Sequence, residues 1–554
     1  MPPTLPKASF TPAAESWFGR TRELALTLTG WPSVTGTPGE VAFAQQLLEL
    51  VQGWPYFQAF PDHAWTSPAL ASNTQNVYLL VRGRTPRTVL LSGHYDTVTT
   101  DCYGAQRPLA HSPEALTAAL ITALEGAPRT AAETLALDDL RSGDFLAGRG
   151  LLDMKGGLAA GLAALERYAA RPAHQRPGHL LLVLSPDEEV MSRGARQVAT
   201  DLPGVADRHG LDVRLGINLD ATNDVTDGQE GRAAYLGTVG KLLVWTLVVG
   251  RPTHAAYPHD GTSAALIGAE LLREVEGHPG FSDAAHGESS PPPVCLEWRD
   301  LRSGYDVTTP GAFWAAFNVL THQRTPRQVL AQFSVLASLA ASRAATRQAR
   351  HALRWGSRSA SALADQQAEI LTFQDLRARA VTRAGEAAVR RACDADPGAP
   401  NPLLATREAV QALAAMADLQ GPAVVIGLAC LHYPHTHVAA ADPAGDTETW
   451  LREELRSFHS ATGETVKVRP FFAGISDMSF LGHAPALEDD AVRQQTPCPV
   501  HVHAPPPGAL PFPVINLGPW GRDYHQRLER IHQPYAFGTL PALLWHLLHA
   551  RLAT

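Results

Sequence analysis

Hydrophobic and polar positions change rhythm along the chain, and those changes divide it. Residues 16–55 carry helical periodicity: Leu24, Leu26, Leu28 and Trp31, a turn around Pro32–Glu40, then Val41 through Val51. From Asn76 the apolar positions gather into short runs: Val77–Val81, Val89–Leu91, Leu180–Leu184 and Leu215–Leu219. Helix-like segments such as 157–170 and 193–200 lie between them, a pattern that predicts the buried strands of an α/β sheet. Each of the last three runs gives way at once to polar or ionisable residues. Ligands of open α/β sheets gather beyond the carboxyl ends of the strands, so chemistry is expected there.

A second block opens near Thr238. Strand-like Leu242–Val249, a helix around Ser263–Val275, strand-like Val294–Trp298 and Phe313–Leu320, and a helix opened by Thr325-Pro326 give a β-α-β-β-α order. That order reads as a small α+β insertion. Residues 334–416 are rich in Ala and Arg and are expected to be solvated helices. Apolar runs at Val424–Leu428 and Val514–Leu517 then suggest that the first domain resumes, and 540–552 reads as a surface helix. The expected division is 1–237 and 401–554 for one domain, with 238–400 inserted.

Composition narrows the class. With 554 residues, 45% of them apolar, and a net charge of −8, the chain is globular and not disordered. No dense basic run and no uncharged apolar stretch of about 18–20 residues occurs, which disfavours nucleic-acid and membrane partners. Met1–Lys7 does not read as a secretory signal. Five scattered cysteines (Cys102, Cys295, Cys393, Cys430, Cys498) include no CxxC. They argue for a reducing compartment, the cytoplasm, and against a thiolate metal site.

Candidate chemistry sits at the strand ends. His94 and Asp96 follow the run at 89–91, and Asp153 stands in a glycine-flanked stretch. Asp187, Glu188 and Glu189 follow the run at 180–184, Asp220 follows Ile217, and His525 follows Val514–Leu517. So many carboxylates in one place repel one another unless cations lie between them. Nitrogen and oxygen donors without thiolate suit zinc, cobalt or manganese, and one shared carboxylate can bridge two ions. In an extended His-x-Asp both side chains share a face, so Asp96 is expected to accept the second ring N–H of His94. Of Glu188-Glu189, one acid can bind metal while the other stays free as a base. A lone His-x-Asp is ordinarily structural; five such elements in order are not. His432, His435, His437, His501 and His503 have no acidic neighbour in sequence and read as solvated loop or pocket-rim residues, with Tyr433 and His435 as candidate pocket lining.

These residues resemble the M20 metallopeptidases and amidohydrolases. SGHYDTV at 92–98, GRGLLDMKGGLAA at 148–160, SPDEEVMSRGAR at 185–196, GRPTHAAYPHDGTSA at 250–264 and His525–Glu529 carry the likeness. YDVTTPGAFWAAFNVLTHQRTPRQVL at 305–330, LHYPH at 431–435 and GISDMSFLG at 474–482 place it nearest the RocB-like, arginine-utilisation branch. The resemblance implies a zinc-exopeptidase-like α/β catalytic domain, a mixed sheet flanked by helices, with an inserted α+β lid or dimerisation domain. It implies two zinc ions per subunit, with manganese or cobalt as alternatives: Asp153 bridging, His94 and Asp220 on one ion, Glu189 and His525 on the other. Glu188 would be the general base acting on a metal-bound water, Asp96 would orient His94, and lid residue His254 would bind the oxyanion, across a homodimer in some relatives. Asn318, Arg324, Ser476 and Asp477 stand where relatives contact substrate, although both stretches depart from the usual pattern. The implied activity is hydrolysis of a peptide or N-acyl amide in a small amino-acid-derived substrate. The alternative is a non-catalytic metal-binding or regulatory protein of arginine metabolism on the same fold.

Overall fold

The computed structural model describes residues 15–553 apart from 225, 227, 303, 358, 395–400, 430–431, 443–444, 483–486 and 498–508. Cys430, Cys498, His501, His503 and the segment Met1–Lys7 therefore lie outside the described residues. Two compact units partition the chain: 1–238 with 436–484 and 505–554, and 239–435 with 485–504.

The first unit is built on an eight-stranded mixed sheet. Its order is Ala64–Pro68, Gln75–Val81, His179–Ser185, Arg87–His94, Asp212–Asn218, Val514–Asn516, Ala233–Tyr235 and Lys467–Arg469. The four central strands, β1 (Arg87–His94), β2 (His179–Ser185), β3 (Asp212–Asn218) and β4 (Val514–Asn516), run parallel. Their side chains alternate between two covered faces. Leu91, Leu182, Ile217 and Ile515 pack with Leu158, Leu162 and Leu544, while Leu90, Leu181 and Val183 pack with Val198 and Leu202. Burial on both faces explains why these strands read as continuous apolar runs. The C-terminal helix Leu540–Ala553 differs from the expected surface helix. Leu540, Leu543, Leu544, Leu547 and Leu548 are all fully buried, and Trp545 packs on Trp17 at 5.6 Å.

The second unit holds a five-stranded sheet in the order Val294–Asp300, Ala312–Thr321, Gly240–Val249, Ala423–Leu428, Glu369–Thr372. One expectation is corrected here. Ala423–Leu428 does not return to the first sheet but pairs antiparallel with Val244–Val249, so the second unit continues past residue 400. The 334–416 stretch is largely helical, as expected, and includes one short strand, Glu369–Thr372, that pairs parallel with Ala423–Leu428. Helix Pro326–Arg354 starts at a Thr325–Gln328 capping box. By length and composition it could cross a membrane. It instead buries Val329, Phe333, Ala337 and Ala340 in one cluster with Phe317 and Ile426.

Candidate active site

The register of the parallel strands sets up the site. His94 lies beside Ser185, Ser92 beside Asn218, and Asn516 beside Asn218, so β1 to β4 end nearly level. The residues just past those ends therefore converge. Asp153 arrives from a distorted turn, Leu151–Lys155, that leads into helix α1 (Gly156–Ala169). The chain enters that turn through Gly150, at φ 72°, where a Cβ would stand 2.3 Å from Thr97 Cγ2. Only glycine fits so close an approach with that backbone.

Two triads result: His94, Asp153 and Asp220, and Asp153, Glu189 and His525, each with its ligand atoms within 4.8 Å of one another. Asp153 belongs to both. Its Oδ1 lies 3.1 Å from His94 Nε2 and its Oδ2 3.2 Å from His525 Nε2. Glu188 stands beside them with Oε2 3.8 Å from His94 Nε2 and belongs to neither triad.

The charges are arranged around a place for cations. Burial works against an imidazolium at His94, but Glu188, Asp153 and Asp96 outweigh it and hold that charge well above the ordinary range. At His525 burial is likewise overcome, by bonds to Asp153 and Glu189, and the group is pushed up to about 10. Burial lifts Glu188 and Glu189, and lifts Asp220 to about 7 with help from Asp153. Asp153 alone is held below the usual carboxylate range, because its two histidine partners outweigh its burial. His94 Nδ1 lies 3.1 Å from the Asp96 carbonyl oxygen, which can only accept. Nδ1 therefore carries the hydrogen in a neutral ring, and the Nε2 lone pair faces carboxylates. Glu189 Oε1 is buried and lies 3.2 Å from His525 Nε2. With His94 neutral, its Nε2 lone pair and the surrounding carboxylates, one of them shared by two triads, form a donor set that suits divalent cations.

Asp96 faces His94 and plays a second part as well. Its carboxylate is 3.6 Å and its backbone carbonyl 3.1 Å from His94 Nδ1. The carboxylate accepts the backbone N–H groups of Glu188 (3.0 Å) and Glu189 (3.2 Å) and the Thr35 hydroxyl (2.8 Å). It thus braces the acidic pair. Asp187, Ser192 and His525 hold left-handed backbone at φ 66°, 49° and 64°. Such conformations persist only where the surroundings enforce them. The Ser192 N–H to Asp187 carbonyl bond (2.6 Å) and the His525 N–H to Glu529 bond (3.3 Å) do so.

The residues expected to contact substrate fall into two groups. Ser476 is fully buried and its hydroxyl accepts from Asn218 Nδ2 at 2.8 Å. Asp477, pushed up to about 6 by burial, accepts from the Ser185 hydroxyl at 2.9 Å. Both brace the strand ends, and Ser476 also bonds Asp220. Asn318 and Arg324 belong to the second unit. Arg324 Nη1 is tied to the Gly280 carbonyl (2.8 Å) and Gln332 (3.2 Å). His254 is exposed on the same unit, with Nδ1 accepting from the Ala256 N–H at 3.1 Å. His432 is buried there, which corrects its reading as a solvated residue; Tyr433 is buried too, and Thr321 Oγ1 sits 3.3 Å from His435 Nδ1.

Sequence reasoning gave no role to Arg149 or to Glu529 beyond its motif. Both are buried, and their side chains form an ion pair. Glu529 also accepts from the N–H groups of Gly150 (3.1 Å) and His525, tying the two loops that carry Asp153 and His525. Breaking a buried pair strands a charge, at about 3–5 kcal/mol. Glu529→Ala is therefore expected to lower unfolding stability by that much, as urea denaturation would read. A loss below about 1 kcal/mol would refute the brace.

Comparison with known proteins adds relatives. A model of peptidase family M20/M25/M40 matches residues 90–488. An uncharacterised protein of Bacillus subtilis (strain 168), YqjN, is 30% identical over 97% of this chain and 97% of its own length. Protein RocB of the same organism is 26% identical over 95% of this chain and 94% of its own. Among solved structures, a tripeptidase from Staphylococcus aureus subsp. aureus mu50 superposes with a TM-score of 0.52 at 14% identity, covering 97% of this chain and 98% of that one.

Proposed function

Because the chain belongs to peptidase family M20/M25/M40, we propose that it is a dinuclear metal-dependent hydrolase cleaving an amide bond, peptide or N-acyl, in a small amino-acid-derived substrate. The observation that carries this reading is the pair of triads sharing Asp153, with a separate carboxylate, Glu188, beside them. Two zinc ions, or manganese or cobalt in their place, would supply Lewis-acid polarisation of the amide carbonyl and water that ionises near neutral pH. His94 and Asp220 would hold one, Glu189 and His525 the other, and Asp153 both.

Glu188 is the proton carrier in this reading. Its backbone is fixed by Asp96 while its carboxylate remains outside both triads. It takes the proton of the attacking water and delivers it to the leaving amine. The oxyanion donor is His254: the Ala256 N–H occupies Nδ1, so the neutral ring carries its hydrogen on Nε2. The homodimer draws support from the edge strand Val294–Asp300, where Val294, Leu296 and Trp298 are exposed in alternation. Free Cys102, Cys295 and Cys393 support a reducing, cytoplasmic setting.

The test is to strip the purified protein with chelator, restore zinc, manganese or cobalt, and follow primary-amine release from dipeptides and N-acyl amino acids. Metal-dependent release is expected, and the best substrate separates peptidase from deacylase. A protein that takes up no metal and releases no amine would sink the proposal.

A further inference from the structure

The loop between the first two helices, Glu15–Thr29 and Pro38–Gln52, has no part in the reading above, yet it reaches Asp96. Ser33 Oγ donates to the Tyr95 carbonyl at 2.6 Å, and the Thr97 N–H bonds the Ser33 carbonyl at 3.0 Å. The Thr35 N–H bonds the Thr97 carbonyl at 3.0 Å, so the loop runs alongside Tyr95–Thr97 like a short parallel strand. Glu40, buried at the start of the second helix, closes the loop by accepting the Gly36 N–H at 2.6 Å. The loop is thus held at both ends, and Thr35 Oγ1 is presented to Asp96 Oδ2 at 2.8 Å.

Asp96 is completely buried, and its carboxylate can turn only about its own side-chain torsions. Oδ1 accepts from the Glu188 N–H and Oδ2 from the Glu189 N–H, so the plane of that carboxylate sets the position of both acids. The Thr35 hydroxyl is a side-chain donor bonded to it at 2.8 Å, closer than the His94 ring at 3.6 Å. We propose that Thr35 is a positioning residue: by fixing the plane of the Asp96 carboxylate, its hydroxyl places Glu188 and Glu189 together. This rests on the metallohydrolase reading and extends it to a residue that touches neither ion nor substrate. Without the hydroxyl the carboxylate can rotate, and the Glu188-Glu189 turn follows it. A displacement of about 1 Å in a reacting group costs on the order of a hundredfold in rate.

The experiment compares Thr35→Val, which removes the hydroxyl at nearly constant volume, with Thr35→Ser, which keeps it. Thr35→Ala serves the same comparison should the valine protein not fold. Turnover is read on the zinc-loaded full chain, and cobalt is titrated into the metal-free protein while its visible absorption is recorded. In Thr35→Val kcat is expected to fall about 10–100-fold with KM within about threefold. The cobalt spectrum of the Glu189 side should change, with weaker uptake at one of two sites, and Thr35→Ser should restore all three readings. Wild-type kcat and an unchanged cobalt titration in Thr35→Val would overturn the inference alone. Equal losses in Val and Ser would overturn it too, since the hydroxyl would not be the cause. A wild type that takes up no cobalt would overturn the metallohydrolase reading, and this inference with it.

Discussion

Replacing Glu188 by Gln is expected to lower kcat by about 10²–10⁴-fold while both ions remain bound. The expectation follows from position. Glu188 lies outside both triads, so its carboxylate is not needed to hold a cation. Its backbone N–H is clamped by Asp96, and glutamine has the same shape, so the substitution leaves the turn in place. What an amide cannot do is accept and return a proton. Burial and neighbouring acids make that site a demanding place for a negative charge and favour a group that takes up a proton readily. The check is single-turnover kinetics beside metal analysis of the same preparation. Normal turnover with both ions present would remove Glu188 from the chemistry. Loss of metal would recast it as a ligand.

The second large effect concerns Asp153. Each of its carboxylate oxygens faces a different histidine, at 3.1 Å to His94 and 3.2 Å to His525. Asp153→Ala is expected to empty both cation sites and bring turnover below detection. His525→Ala, which belongs to one triad, should empty one only. Elemental analysis of dialysed protein distinguishes the two outcomes. If Asp153→Ala retained a full complement of metal, the shared-carboxylate arrangement would be wrong. The side chain is almost wholly enclosed, so a fold check belongs beside the measurement; retained circular dichroism would assign the loss to the ligand.

Much of this was legible in the chain. The runs at 89–91, 180–184 and 215–219 became parallel neighbours because a strand buried on both faces has to be apolar throughout. Strand ends are where such sheets leave polar groups uncovered, so His94, Glu188, Glu189 and Asp220 could be picked from position alone. The β-α-β-β-α order after Thr238 likewise reappears, because each element carries its own periodicity and caps.

Other features depend on residues far apart in sequence. Val424–Leu428 reads as a strand, but its apolar pattern fits either sheet. Its pairing with Val244–Val249 was decided by tertiary packing. That Asn218 and Ser185 bond Ser476 and Asp477 was not legible in the chain either. His-x-Asp geometry suggested a carboxylate facing the imidazole, but not that Asp96 is also bonded by the backbone of Glu188 and Glu189 and by Thr35. The helix at 540–553 carries apolar residues on more than one side, and only its enclosure in the core explains them. The sequence by itself thus determined which side chains end each strand, since that is a local consequence of burial and periodicity. Which of them meet around Asp153, and what braces them, only the tertiary structure decided, because a buried polar group bonds whatever the fold brings within reach.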